Sequence, residues 1–316
     1  MAESDSLYHR LFSHPVMVEH LVREFVPAAM AVGLDFGGME LVNVKYHSRK
    51  GHRREGDVVW RLPTAAGADI YLYLMIEFQA RIDWWMAVRI QVYVGLLWQQ
   101  IIRERKLKST DLLPPVLPLV LFNADPRWDA PTDTVAMVAL PPDSPLWPWQ
   151  PQVRYHVLDM GAFPGDELAR RDSLAALLFR LEQRHEPEKL ADLVDEVIGW
   201  FRGHPGYEDL KALFTELVRQ AIEGVGVSIA IPDELREMRT MLATQGQEWV
   251  RQWKAEGETK GKADMLLLLL RRRDKMLPAG IEDRVRAASC DQLDDWSERF
   301  ADGKPLTEIF GPDQPH

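Results

Sequence analysis

The chain has 316 residues, 46% hydrophobic and 27% charged, with a formal net charge of −10; this excludes a fibrous or disordered protein and fits one large globular domain with an appendage, or two domains. A single cysteine, Cys290, excludes an intramolecular disulfide framework and a zinc cluster built on cysteines. No succession of charged, apolar and small residues opens the sequence, and the apolar stretches near 84–98 and 265–270 are too interrupted or too short to span a bilayer, so a cytoplasmic location without membrane contact is expected.

Ser13 and Pro15 mark a helix start. Met17, Leu21, Val22 and Phe25 then recur at helical spacing toward Met30. "MELVNVKY", 39–46, has strand-like composition, and "GDVVWRL", 56–62, reads as a second strand opening on a glycine turn. After the turn-rich "PTAAGAD", the run 70–79 returns as a third strand, so 57–79 predicts a hairpin. Asp83 is a candidate cap for a helix running to about Lys106. That helix is apolar nearly all round, which predicts burial on more than one side. "PPVLPLVLFN", 114–123, and "QVRYHVL", 152–158, read as a fourth and a fifth strand. Strands around one buried helix, with helices before and after, indicate an α/β or α+β core: a mixed sheet flanked by helices.

From about 165 the pattern becomes helix after helix, near 165–183, 187–203, 207–224 and 232–256. "KAEGETKGKAD", 254–264, reads either as a linker or as a long exposed helix, and three short helices follow. The division expected is a sheet domain with trailing helices over 1–225, a charged linker over 226–263 and a small helical domain over 264–316. The Leu266–Leu270 run needs a partner surface, within this tail or on another chain. The helical regions are therefore the surface expected for homo-oligomer contacts.

Charge is unevenly spread. Residues 1–125 hold 14 basic and 14 acidic side chains, and the remainder carries the whole −10. Within the neutral part, "KYHSRKGHRR", 45–54, holds Lys45, Arg49, Lys50, Arg53 and Arg54 and no acid. Such a run reads either as a solvated loop or as a loop facing phosphates, since basic side chains supply most non-specific nucleic-acid affinity.

The third strand, "IYLYLMIEFQ", carries Glu77 and Gln79 in an otherwise apolar run. A carboxylate buried without a partner costs several kcal/mol or becomes protonated. With Leu62 opposite Ile70, Asp57 lies opposite Met75, and Asp57, Glu77 and Gln79 share one face. Two carboxylates from adjacent strands supply the hard oxygen ligands Mg²⁺ prefers. The alternative is that Glu77 pairs with an arginine such as Arg61 or Arg89 and only holds the core.

"GDVVWRL", then "YLYLMIEFQARIDWWMAVRIQVYVGLLW", then "LPPVLPLVLFN" together resemble the recombination-promoting nuclease family, also described as putative transposases, over about residues 8–225. The resemblance implies a PD-(D/E)XK nuclease superfold and cleavage of DNA phosphodiesters with Mg²⁺, for which Mn²⁺ substitutes. It implies Asp57 and Glu77 as metal ligands. Gln79 falls where the superfold usually has lysine; an amide can orient water but supplies no cationic field. Arg89 and Tyr93, one turn apart on the next helix, are candidates for part of that role, and Glu19 or Glu24 for an extra acid from the first helix. Residues 264–310 resemble a small helical domain often appended to these proteins.

Other candidates carry blander readings. His47 and His52 sit in the basic loop and read as exposed. Trp84, Trp85 and Trp98 read as core packing or a subunit contact, and Cys290 as a small core residue. Two rival functions remain open: a DNA-binding protein on this fold that cleaves poorly, and an oligomerising interaction protein whose helical half carries the biology.

Overall fold

The computed structural model describes residues 2–44, 58–65, 67, 69–77, 82–123, 127–183, 185–224, 230–274, 277–278 and 280–311, with backbone alone for 2–6, 76–77, 247–250, 252–254 and 256. The chain opens with helices α1 (Ala2–Phe12), α2 (Pro15–Phe25) and α3 (Ala28–Ala31). Strands β1 (Glu40–Leu41), β2 (Val58–Pro63) and β3 (Asp69–Glu77) follow, then helix α4 (Met86–Arg105) and strands β4 (Val116–Phe122) and β5 (His156–Asp159). Helices α5 (Gly165–Leu168), α6 (Leu174–Leu181), α7 (Pro187–Gly203), α8 (Glu208–Gly224) and α9 (Leu235–Arg273) come next, then α10 (Ile281–Arg286), α11 (Cys290–Ala301) and α12 (Leu306–Phe310). Residues 254–264 lie within α9.

The strands form one mixed sheet in the order β1-β2-β3-β4-β5. β1, β2 and β3 pair antiparallel, and β3, β4 and β5 pair parallel. Helix α4 makes the crossover that a parallel β3–β4 pair requires. The architecture is α/β, with a helical C-terminal region.

Alternation along the strands explains the two buried faces. Val59, Tyr71, Tyr73, Met75 and Val120 pack in one cluster with Met86, Ile90, Val94, Leu97 and Ile101 of α4. Their neighbours Val58, Leu72, Leu74, Leu119 and Leu121 are buried as well, so the sheet is covered on both sides. Each such side chain contributes about 1.5–3 kcal/mol by leaving water. Helix α4 itself buries a single face: Val88, Val92 and Ile102 are exposed, which corrects the expectation of burial on more than one side. A crossover helix lies on one layer of sheet, and its apolar outer residues gain no second layer. Gln100, the buried polar residue of α4, donates to the Asn43 carbonyl at 2.8 Å.

Helix α1 escaped the sequence reading because its apolar set is short. Leu7, Tyr8, Leu11 and Phe12 are all buried, but they fill only its second half. The Trp60 indole donates to the Phe12 carbonyl at 2.9 Å, satisfying a C-terminal acceptor that the helix leaves open.

The chain divides into two compact units, residues 1–185 with 192–239, and residues 186–191 with 240–316. The second has its own core, in which Leu266, Leu267 and Leu270 pack with Val285, Leu293, Trp296, Ile309 and Phe310. Part of the leucine run is thus covered within the tail, while Met265 and Leu268 are exposed. Ser289 caps α11 with a reciprocal capping box to Gln292. Cys290, at the start of that helix, is half-buried rather than a core residue, and Lys262 Nζ lies 3.1 Å from its Sγ.

Candidate functional site

The β2–β3 hairpin has the register anticipated from sequence. Leu62 pairs with Ile70, and the described pairing runs on to Val58 opposite Leu74. Glu77 ends β3 with Phe122 as its parallel partner, and Phe122 in turn pairs with Asp159 of β5. One row across the carboxyl ends of the parallel strands therefore reads Glu77, Phe122, Asp159. Open α/β sheets bind ligands outside such strand ends. Asp57 and Gln79 lie outside the described residues, as do Lys45, Arg49, Lys50, Arg53, Arg54, His47 and His52. The Glu77 side chain is likewise outside them.

The remaining candidates are placed clearly. Arg89 Nη1 lies 2.6 Å from Asp83 Oδ2 at the start of α4, and Asp83 Oδ1 accepts the Trp85 backbone N–H at 2.9 Å. Asp83 thus serves the helix start, two residues before the cap position. Tyr93 stacks on Tyr73 with ring centroids 6.0 Å apart, tying α4 to β3. Arg61 pairs with Glu40 and Asp69 at the sheet edge. Glu19 and Glu24 lie on α2, where Glu19 pairs with Arg23 at 2.7 Å and Glu24 with Arg171 at 3.4 Å. Trp84 and Trp85 are 51% and 60% exposed, so they stand outside the core, which removes the core-packing half of the sequence reading.

Sequence reasoning passed over a half-buried acid beside the end of β4. Glu182 follows α6, and Asn123 Nδ2 donates to its Oε2 at 2.6 Å. The Tyr8 hydroxyl of α1 donates to its Oε1. Two donors favour the ionised carboxylate, yet burial dominates and pushes Glu182 up to about 7. Three segments are tied together at one carboxylate, immediately beyond the strand residue that partners Glu77. In sequence, "FRLEQRHE" reads as an ordinary solvated helix end. The available signal was Asn123, a polar residue closing an apolar strand.

Other features add little chemistry. A shallow groove of about 500 Å³, lined by Val135, Val138, Leu140, Pro142, Trp147 and Gln152, holds no titratable side chain. Among the described residues no group of three or more His, Cys, Asp or Glu is placed to hold a metal ion, and no helix is long and apolar enough to cross a membrane.

A family model described as "Putative transposase, YhgA-like" matches residues 2–210. The chain belongs to that family. Among curated proteins it is similar to the recombination-promoting nuclease RpnD of Escherichia coli O157:H7, with 24% identity over 199 residues, 61% of this chain and 72% of RpnD. It is also similar to YjiP of Escherichia coli strain K12, named a putative inactive recombination-promoting nuclease-like protein. There the identity is 27% over 89 residues, 28% of this chain and 85% of YjiP. No solved structure matches the chain. The family match spans the whole sheet and α4, and ends within α8.

Proposed function

We propose that this member of the family is a Mg²⁺-dependent DNA endonuclease acting in recombination or mobile-element biology. The observation that carries the reading is the β2–β3 register, Leu62 opposite Ile70 through Val58 opposite Leu74. It is the register on which the convergence of Asp57 and Glu77 rests. A one-residue slip would send the Asp57 position to the other face of the sheet. RpnD's name supports the reaction class.

Asp57 and Glu77 are the residues that would hold the ion. A divalent ion there supplies charge stabilisation at a phosphate and a more acidic bound water. Gln79 orients the attacking water, and the arginines and lysines of 45–54 hold the DNA backbone. Tyr93 and Arg89 stiffen the start of α4 beside this strand end through Tyr73 and Asp83. A cation held there would offset the cost of placing the acid at 77 in an otherwise apolar strand.

A second reading has its own support: a DNA-binding protein that cleaves weakly. Glutamine stands where the superfold usually has lysine, and YjiP carries the word inactive in its name. Incubating supercoiled plasmid with the purified chain in Mg²⁺, Mn²⁺ or EDTA separates the two. Nicked or linear product with metal, absent with EDTA and absent in Asp57→Ala, supports the nuclease. DNA retained in a filter-binding assay but left uncut under every condition favours the second reading.

A further inference from the structure

Arg127 lies in the segment that leaves the carboxyl end of β4. Its side chain is 56% exposed, yet it is held in place. Nη1 donates to Asp159 Oδ1 at 3.1 Å, and Asp159, with a side chain only 13% exposed, closes β5. The other Asp159 oxygen accepts the Trp128 backbone N–H at 3.4 Å, which fixes the carboxylate from the same segment. The guanidinium meets Gly161 through its Nη1 edge: a Cβ built there would lie 3.1 Å from Cζ and 3.4 Å from Nη2, and closer still to Nη1. Position 161 can therefore carry no side chain while Arg127 keeps this pose.

Three features single this arginine out from the other surface ion pairs. It is already oriented by Asp159 and seated against Gly161 before any ligand arrives, so less side-chain entropy is left to lose on binding. Among the described residues only one of its nitrogens is engaged, and the guanidinium fork offers five donors. It also sits at the end of the row Glu77, Phe122, Asp159. Two strand spacings separate the ends of that row, roughly 10 Å, the axial rise of about three base pairs of duplex at about 3.4 Å each.

From this placement we infer that Arg127, held by Asp159 over Gly161, is a DNA-backbone contact that grips a phosphate a few nucleotides from the bond cut at Glu77. The inference rests on the nuclease reading for its ligand. It supplies a described cation at the carboxyl ends of the parallel strands, where position 79 has an amide in place of lysine. As a phosphate contact it adds affinity without sequence preference.

The test measures anisotropy of a fluorescein-labelled duplex, in EDTA to prevent cleavage, across a salt series. Arg127→Ala is expected to weaken binding about equally for unrelated sequences and to lower the slope of log K against log salt by about 1. Gly161→Ala keeps every charge but displaces the far end of a flexible side chain, so it should lose affinity in the same direction with little change in melting temperature. Arg127→Lys should keep most of the salt slope and lose part of the affinity. Wild-type binding with Arg127→Ala and Gly161→Ala indistinguishable from it overturns this assignment and leaves the nuclease reading standing. A melting temperature that falls in both variants while the salt slope stays at the wild-type value also overturns it, leaving Arg127 a structural ion pair. A wild-type chain that binds no duplex at low salt instead overturns the nuclease reading, and this assignment with it.

Discussion

Two acids of the first unit, Glu77 and Glu182, differ in how openly the sequence declares them. Glu77 closes a strand of tyrosines, leucines and methionine, five of which, Tyr71 to Met75, are fully or nearly fully buried. Glu182 follows a helix end in a polar stretch between Arg180 and Gln183, and it is half-buried and hydrogen-bonded by residues 59 and 174 positions away. A strand displays its environment in its own letters, because both its faces are covered by the same sheet architecture. A helix end is polar whether it meets water or another element. The difference teaches that unexpected acids are found from sequence only where local pattern already fixes burial.

The comparison breaks first at Glu77. Asp57→Ala and Glu77→Ala are each expected to drop plasmid cleavage to background, and the double variant to add little, since paired ligands act as a unit. Wild-type rates from folded Glu77→Ala would remove the functional half of the contrast. Gln79→Ala is the next largest effect, slowing single-turnover cleavage on the order of 100-fold, about 2.7–4 kcal/mol. Calorimetric Mn²⁺ titration should then show metal affinity nearly unchanged. Affinity lost as badly as in Glu77→Ala would make Gln79 a ligand instead of a water-positioning group.

Glu182 sharpens the contrast through pH. Its carboxyl is raised from 4.5 to about 7 by burial, so the folded chain holds a proton there that the unfolded chain releases. That contribution is fully present below pH 4.5 and is lost as pH rises through about 7, by no more than about 3 kcal/mol at 1.36 kcal/mol per unit. Glu182→Gln keeps the shape and a neutral group: its amide oxygen accepts from Asn123 and its NH2 donates to the Tyr8 hydroxyl oxygen, one bond reversed, so it should gain on the wild type between pH 5 and 8 in urea melts. A difference between the two proteins that is flat with pH would show Glu182 to be ionised throughout.

The smallest effect has the opposite sign. His20 Nδ1 accepts the Leu174 backbone N–H at 3.1 Å, the amide that opens α6. Burial, foremost, and His204 lower its affinity for a proton, against Glu19, Glu24 and Asp172. Because the folded value lies below 6.5, stability is present above 6.5 and is lost on acidification below it. Thermal melts of wild type and His20→Gln at pH 7.5 and 5.5 should converge toward the acid end. Equal acid sensitivity in both would assign the loss to other groups.

Much of the sheet was legible because its signals are local. Alternation and apolar runs placed β2, β3 and β4, helical spacing placed α2, α4, α7 and α8, and the hairpin register followed from a single loop. Residues 57, 77 and 79 could be singled out for the same reason: period-two alternation assigns a face without any knowledge of the partner. Tertiary structure alone decided what depends on distant chain. It exposed Trp84 and Trp85, which composition alone would bury, because they lie in the turn that precedes α4. It brought Tyr8, Asn123 and Glu182 to one point and set Arg127 over Gly161 against Asp159. No periodicity encodes such meetings: they arise where separate elements end, and which ends coincide is fixed by the order of strands and the packing of layers.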